Sequence, residues 1–157
     1  MTMQADVKSQ HAATSGLMVG YRTRLKGAVV FPFTGATGYS AFVDNTSITG
    51  TYARSTTTAT ITSTNHGLST GQWVYLDWDL TDNPYQVTVT DANTFTVTVA
   101  NSGAASGNVT VWTNMLLQAD ASNATAYSIV IPGEGILVPN GLRVFLATDI
   151  HATAFYG

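Results

Sequence analysis

Three carboxylates fall within the short run Asp77-Trp78-Asp79-Leu80-Thr81-Asp82. Alternate positions put Asp77 and Asp79 on one face of a strand. Carboxylates so paired could bind Ca²⁺ or share acid–base work. No Gly and closing Glu follow at the spacing of a calcium loop. A solvated acidic face, with an Asx turn ahead of Asn83-Pro84, is therefore the preferred reading. His66, in His66-Gly67-Leu68-Ser69-Thr70-Gly71, could be a ligand or a base, yet no second His, Cys or triad partner stands near it in sequence. It reads as a turn histidine bonded to backbone. Arg22, Arg24 and Lys26 alternate with Tyr21, Thr23 and Leu25 and place three of the six basic residues on one strand face. That face is either a solvated edge guarded by charge or a stripe that docks an acidic partner, and the solvated edge is favoured. Trp73, Tyr75, Trp78 and Tyr85 could form an aromatic platform for a sugar, with Asp77 and Asp79 bonding its hydroxyls, or for single-stranded bases. The plainer reading makes Trp73, Trp78 and Trp112 core or interface anchors.

These residues sit in strands. The chain has 157 residues, 45% hydrophobic and only 10% charged, with no Cys and a single Glu, Glu134. It is apolar enough for a real core and too poor in Glu, Lys and Arg for long helices. No Cys means no disulfide, thiolate site or thiol catalysis. With one Glu and three scattered His there is no triad, metal cluster or phosphate loop, and the expectation is a protein that is not an enzyme and needs no cofactor. A net charge of −3 argues against a general nucleic-acid binder. No run of about 18 apolar residues is present, so no membrane span is expected. The N-terminus lacks the basic start and apolar middle of a secretion signal. So few surface charges suit a protein covered by partners.

Residues 57–111 carry the clearest pattern. Val87 and Val89, then Phe95, Val97 and Val99, alternate with Thr on either side of Asp91-Ala92-Asn93, which predicts a hairpin. Strands at 59–62, 72–78 and 108–112 bring the block to about five, enough for a small barrel or sandwich. Outside it, strands are expected across 17–33, 39–43, 115–120, 127–131, 136–138, 142–147 and 151–156. Turns are expected at 121–124, Pro132-Gly133-Glu134-Gly135 and Pro139-Asn140-Gly141. The fold expected is all-β: an antiparallel, jelly-roll-like β-sandwich from residues 17–55 plus 114–157, a small inserted β-barrel or sandwich module at 56–113, and an extended arm at 1–16 that orders on a neighbour.

The tail carries Ile131-Pro132-Gly133-Glu134-Gly135-Ile136-Leu137, Asn140-Gly141-Leu142-Arg143-Val144 and a final Phe155-Tyr156-Gly157. With Arg24-Leu25-Lys26-Gly27 near the start, it resembles small virion proteins of short-tailed bacteriophages. The block marked by Asn65-His66-Gly67-Leu68, Gly71 and Asp91-Ala92-Asn93-Thr94-Phe95 is similar to a β module recurrent in phage structural proteins. A similar module is named for a catalytic-cysteine half-domain, but this chain has no Cys, so only the fold carries over.

The resemblance implies a structural virion protein, made in the host cytoplasm and placed on the capsid as a decoration protein. Its partners would be the major capsid protein and copies of itself, as a trimer or another homo-oligomer, with the inserted module projecting outward. No nucleic acid or membrane is expected as a partner. The alternatives are a tail or fibre component, or a carbohydrate-binding module contacting a host glycan.

Overall fold

A computed structural model describes residues 6–33, 35–122 and 125–157. Among them are sixteen β-strands, numbered along the chain, and no helix. The fold is all-β and antiparallel. The chain divides into two compact units, residues 1–45 with 116–157 and residues 46–115.

The first unit is a β-sandwich. One sheet runs β1 (Lys8–Ala12), β16 (Ile150–Tyr156), β3 (Thr23–Pro32) and β13 (Tyr127–Val130). β14 (Ile136–Val138) pairs the early part of β3, so β13 and β14 share its far side. The second sheet runs β12 (Met115–Ala121), β4 (Gly38–Asp44), β15 (Leu142–Leu146) and β2 (Gly16–Val19). Leu25, Val30 and Ile150 from one sheet meet Phe42, Leu142 and Val144 from the other in a shared core.

β3 shows why the alternation is not uniform. Thr23 and Leu25 point inward, then Ala28 and Val30 do. The interval lengthens because the register with β16 slips: Phe155 faces Gly27 and Tyr156 faces Leu25, leaving Lys26 as the extra residue. One added residue turns the following side chains over, as a β-bulge requires. Beyond it, Val29 and Phe31 lie on the outward face, beside Thr153 and His151 of β16.

The expected N-terminal arm is corrected in part. Its first five residues lie outside the described ones, but Lys8–Ala12 pairs with β16 of its own chain. Only Ala12 of the five is even half-buried. An edge strand so exposed on both faces has no two-residue period to betray it. The turn expected at 121–124 falls partly outside the described residues.

The second unit is one curled sheet forming a half-barrel, in the order β8 (Asn83–Gln86), β7 (Trp73–Trp78), β11 (Ser106–Trp112), β5 (Ser47–Ser55), β6 (Thr58–Thr62), β10 (Thr94–Thr98), β9 (Thr88–Asp91). Its concave side encloses Ile61, Val74, Leu76, Phe95 and Val111. The expected boundary at residue 56 differs from the observed one at Thr46, because β5 is a central strand of this sheet. β5 hides its pattern: inward positions include Gly50, where a Cβ would collide with the Thr62 carbonyl oxygen. No strand was expected at β8, only a turn ahead of Asn83-Pro84. Asn83-Pro84 instead opens an edge strand on β7, where a proline without an N–H is tolerated.

Candidate functional site

His66 is held by backbone on both ring nitrogens. Nδ1 accepts from the Leu68 N–H at 3.0 Å, and Nε2 donates to the Asp91 carbonyl at 3.0 Å. The ring is buried and meets Phe95 edge-on at 5.2 Å. Around it, Asn65 donates to the Asn93 side chain, Ser63 to the Asn93 carbonyl and His66 to the Ala92 carbonyl. The loop Asn65-His66-Gly67-Leu68 and the hairpin turn Asp91-Ala92-Asn93 are thus one knot. Both ring nitrogens are engaged in holding it, as the reading of a turn histidine requires.

The aromatic platform divides. β7 alternates, so Trp73 and Tyr75 point away from the core while Trp78 points into it. Trp78 packs edge-on against Tyr52 at 5.0 Å and Tyr85 at 5.5 Å. Trp78 Nε1 and the Tyr85 hydroxyl both donate to the Thr81 carbonyl, at 3.0 and 2.8 Å. Tyr75 is buried, and of the four only Trp73 is an exposed large side chain, at 47%.

The carboxylates separate as well. Asp82 is exposed and reaches back, its Oδ1 accepting from the Trp78 N–H four residues earlier at 3.0 Å, a bond different from the Asx turn expected there, in which the oxygen accepts from an N–H two residues further on. Removal of water from its carboxyl raises its pKa. The bond from Trp78 works against that rise, and the charge of Asp77 adds to it. Asp77 and Asp79 line an open groove of about 670 Å³ on the outer face of the sheet, with Thr49, Thr51, Asn108 and Thr110. The register explains the arrangement: Asp77, Thr110 and Thr49 stand side by side across β7, β11 and β5. At one end of this unit a Cβ on Gly107 would lie 2.8 Å from Asp79 Oδ2 and 3.2 Å from the Tyr52 hydroxyl. That hydroxyl is buried and has no hydrogen-bond partner among the described residues. Burial, then the Asp79 charge, raises the Tyr52 pKa, against a smaller lowering by Arg54.

Arg54 lies near the end of β5. Its guanidinium donates to the carbonyls of Thr56, Gly103 and Ala104 and to the Asn101 side chain, at 2.9–3.3 Å. It clamps the small-residue loop at 101–105.

Of the basic stripe, Arg22 is exposed, whereas Arg24 and Lys26 are half-buried. Arg24 donates to the Gly135 carbonyl at 3.3 Å.

One cluster lay beyond sequence reasoning. His11 stacks on Phe31 at 5.4 Å, His151 stacks on Phe33 at 5.5 Å, and the two histidines meet edge-on at 5.6 Å. Its members come from β1, β16, β3 and the residue after β3, on the outward side of the five-stranded sheet. The signal needed was the register of β1 on β16, which sequence periodicity does not supply. Among the described residues no group of three His, Cys, Asp or Glu side chains could hold a metal ion. No helix among them is long and apolar enough to cross a membrane. No known family model matches the chain, and no curated protein matches it in sequence.

Proposed function

We propose that this protein is a structural component of a bacteriophage virion, a decoration protein that binds the capsid by surface burial and carries out no catalysis. The supporting observation is the ring cluster of His11, Phe31, Phe33 and His151 on a sheet face, in which His11 and Phe33 are exposed and Phe31 and His151 half-buried. Contiguous aromatic surface of this kind is a hallmark of protein interfaces. The rest of the first unit agrees with it. Among the described residues, Val7, Leu17, Tyr21, Phe33, Val130 and Leu137 are six of the seven exposed large apolar side chains, and the seventh, Trp73, belongs to the second unit. The first unit is therefore the part that grips the major capsid protein. The virion assignment itself draws on the resemblance of the tail, from Ile131 to Gly157, to small phage virion proteins.

Each copy would stabilise only the assembled lattice, because contact surface exists only there. The test is copy number. Purified virions are resolved by electrophoresis and this band is quantified against the major capsid protein. A ratio near one per capsid subunit, or one per three, supports decoration. A handful to a few tens per particle moves the protein to the tail, and absence from the particle removes the structural reading.

A further inference from the structure

The ring cluster holds two of the three histidines of the chain, and they are bonded differently from the third. His66 has both ring nitrogens engaged by backbone. His11 makes one side-chain hydrogen bond, between Nδ1 and the Thr153 hydroxyl at 3.2 Å. A hydroxyl donates or accepts, so that bond suits a neutral ring and a protonated one alike. The His151 ring makes no hydrogen bond among the described residues. Ring contacts hold it: it stacks on Phe33 and stands edge-on to His11 and, at 5.7 Å, to Phe31. Neither ring loses a bond on taking up a proton.

Among the described residues, no carboxylate pairs with either ring. β16 carries no Asp, Glu, Lys or Arg, and its Tyr156 lies at the far end, opposite Lys8. Lys8 is the one charged residue of β1; it is three positions from His11 and so on the opposite face. Asp6 lies against Gly157, at that same far end. β2, beside β1, carries no charge. On β3 the charges are Arg24 and Lys26, and the nearer, Lys26, is roughly 16 Å along the strand from Phe31. Asp149 comes two residues before His151, in the turn into β16. It is exposed, its carbonyl accepts from the Phe33 N–H at 2.7 Å, and its side chain makes no ion pair among the described residues.

Imidazole is the side chain that changes charge near neutral pH. Above that range the cluster is four uncharged rings, which bury against a partner at small cost. In acid it holds two cations with ring centres 5.6 Å apart. On the free protein water screens them, and the faces of Phe31 and Phe33 attract them. Under a partner the water is gone. Each cation then loses its hydration with no counter-charge, and the two repel more strongly. The phenyl faces offset only part of that cost. The docked state therefore binds fewer protons than the free one. Its stability is full above the histidine range and is lost as pH falls through it.

We infer that the His11–His151 pair makes docking through the ring cluster reversible by acid: the protein holds its partner surface at neutral pH and lets go when both rings are charged. This rests on the reading of the cluster as the surface that grips the capsid. It adds the chemistry of the partner, because a carboxylate facing the rings would reverse the dependence. The surface that meets them is apolar or neutral.

The experiment incubates purified virions in steps from about pH 7.5 to about pH 4, sediments the particles, and quantifies this band in the pellet and the supernatant. The released amount is expected to be about tenfold higher at about pH 5 than at about pH 7.5, with a midpoint between about pH 5.5 and 7. The circular dichroism of the purified chain is expected to be unchanged over the same span, so that release is not unfolding. His11→Phe with His151→Phe keeps the rings and removes the protons, and is expected to stay on the particle at about pH 5. His11→Arg with His151→Arg fixes the charge and is expected to be released at neutral pH. Should the Phe pair fail to enter particles, the midpoint of the parent decides. A parent that stays bound at about pH 5, binds more tightly in acid, unfolds as it leaves, or leaves only below about pH 4.5, where carboxylates titrate, overturns the inference. So does a Phe pair released like the parent. Each of these leaves the capsid reading standing, whereas absence of the band from virions at neutral pH removes that reading and this inference with it.

Discussion

His66 spends both ring nitrogens on the backbone of two separate turns. Replacing it by alanine removes both bonds and strands the Leu68 N–H in a buried place. The expected loss is about 2–3 kcal/mol of unfolding free energy, read by urea denaturation followed through tryptophan emission; an unchanged midpoint would show that the knot contributes nothing. Asp82 makes a prediction of the opposite kind. Its folded carboxyl holds its proton more tightly than an ordinary one, chiefly because water is removed around it. Folding therefore takes up a proton as pH falls through that window. The contribution of this group to stability is full below the ordinary carboxyl range and is lost as pH rises through the raised value. Asp82→Asn keeps an oxygen for the Trp78 N–H and has no charge to bury. Its stability relative to the parent is expected to grow as pH is raised from about 3 to 7, and a difference that is flat across that range counts against the assignment.

At the scale of elements, much was legible and some was not, for identifiable reasons. The β9–β10 hairpin was plain because Val89, Phe95 and Val97 alternate with Thr around a turn of Asp and Asn. The inward pair Thr23 and Leu25 was plain for the same reason. The splitting of Trp73 from Trp78 was also readable, since an odd and an even position on one strand face opposite ways; grouping them by residue type alone concealed it. β5, β8 and β1 were illegible because their patterns are set by neighbours. β5 carries a glycine where the Thr62 carbonyl intrudes, β8 opens on a proline, and β1 is exposed on both faces. The Arg54 clamp is another non-local feature, since its partners lie 47–50 residues away along the chain, apart from Thr56. Arg54→Ala is expected to speed amide exchange in residues 101–105 by about tenfold, equivalent to about 1.4 kcal/mol. Arg54→Lys is expected to rescue little, because an ammonium lacks the planar fork that reaches several carbonyls at once. Exchange unchanged in either variant would mean the loop holds itself.

At the scale of the whole molecule, two cores divide the work of stability. Phe42 anchors the first and Phe95 the second, and both are fully buried. Trp73, Trp78 and Trp112 all belong to the second unit, so tryptophan emission reports that unit alone, while far-ultraviolet circular dichroism reports both. Phe95→Ala is expected to lower the stability seen by emission by about 3–5 kcal/mol. Phe42→Ala is expected to lower it in the dichroism signal and leave the emission midpoint in place. Coincident shifts in both signals for both variants would show one cooperative unit instead of two.

The discontinuity of the first unit also sets an order of events during synthesis. Residues 46–115 are contiguous, so every strand of the curled sheet has left the ribosome before β12 is complete. The sandwich must wait: β3 finds β16 only when residues 150–156 emerge, since Val30 pairs with Ala152. Until then the apolar faces of β3 and β4 have no partner sheet. A nascent chain paused once residue 115 has emerged would hold a folded second unit behind an open, adhesive first one, and this is the interval in which a chaperone has something to protect.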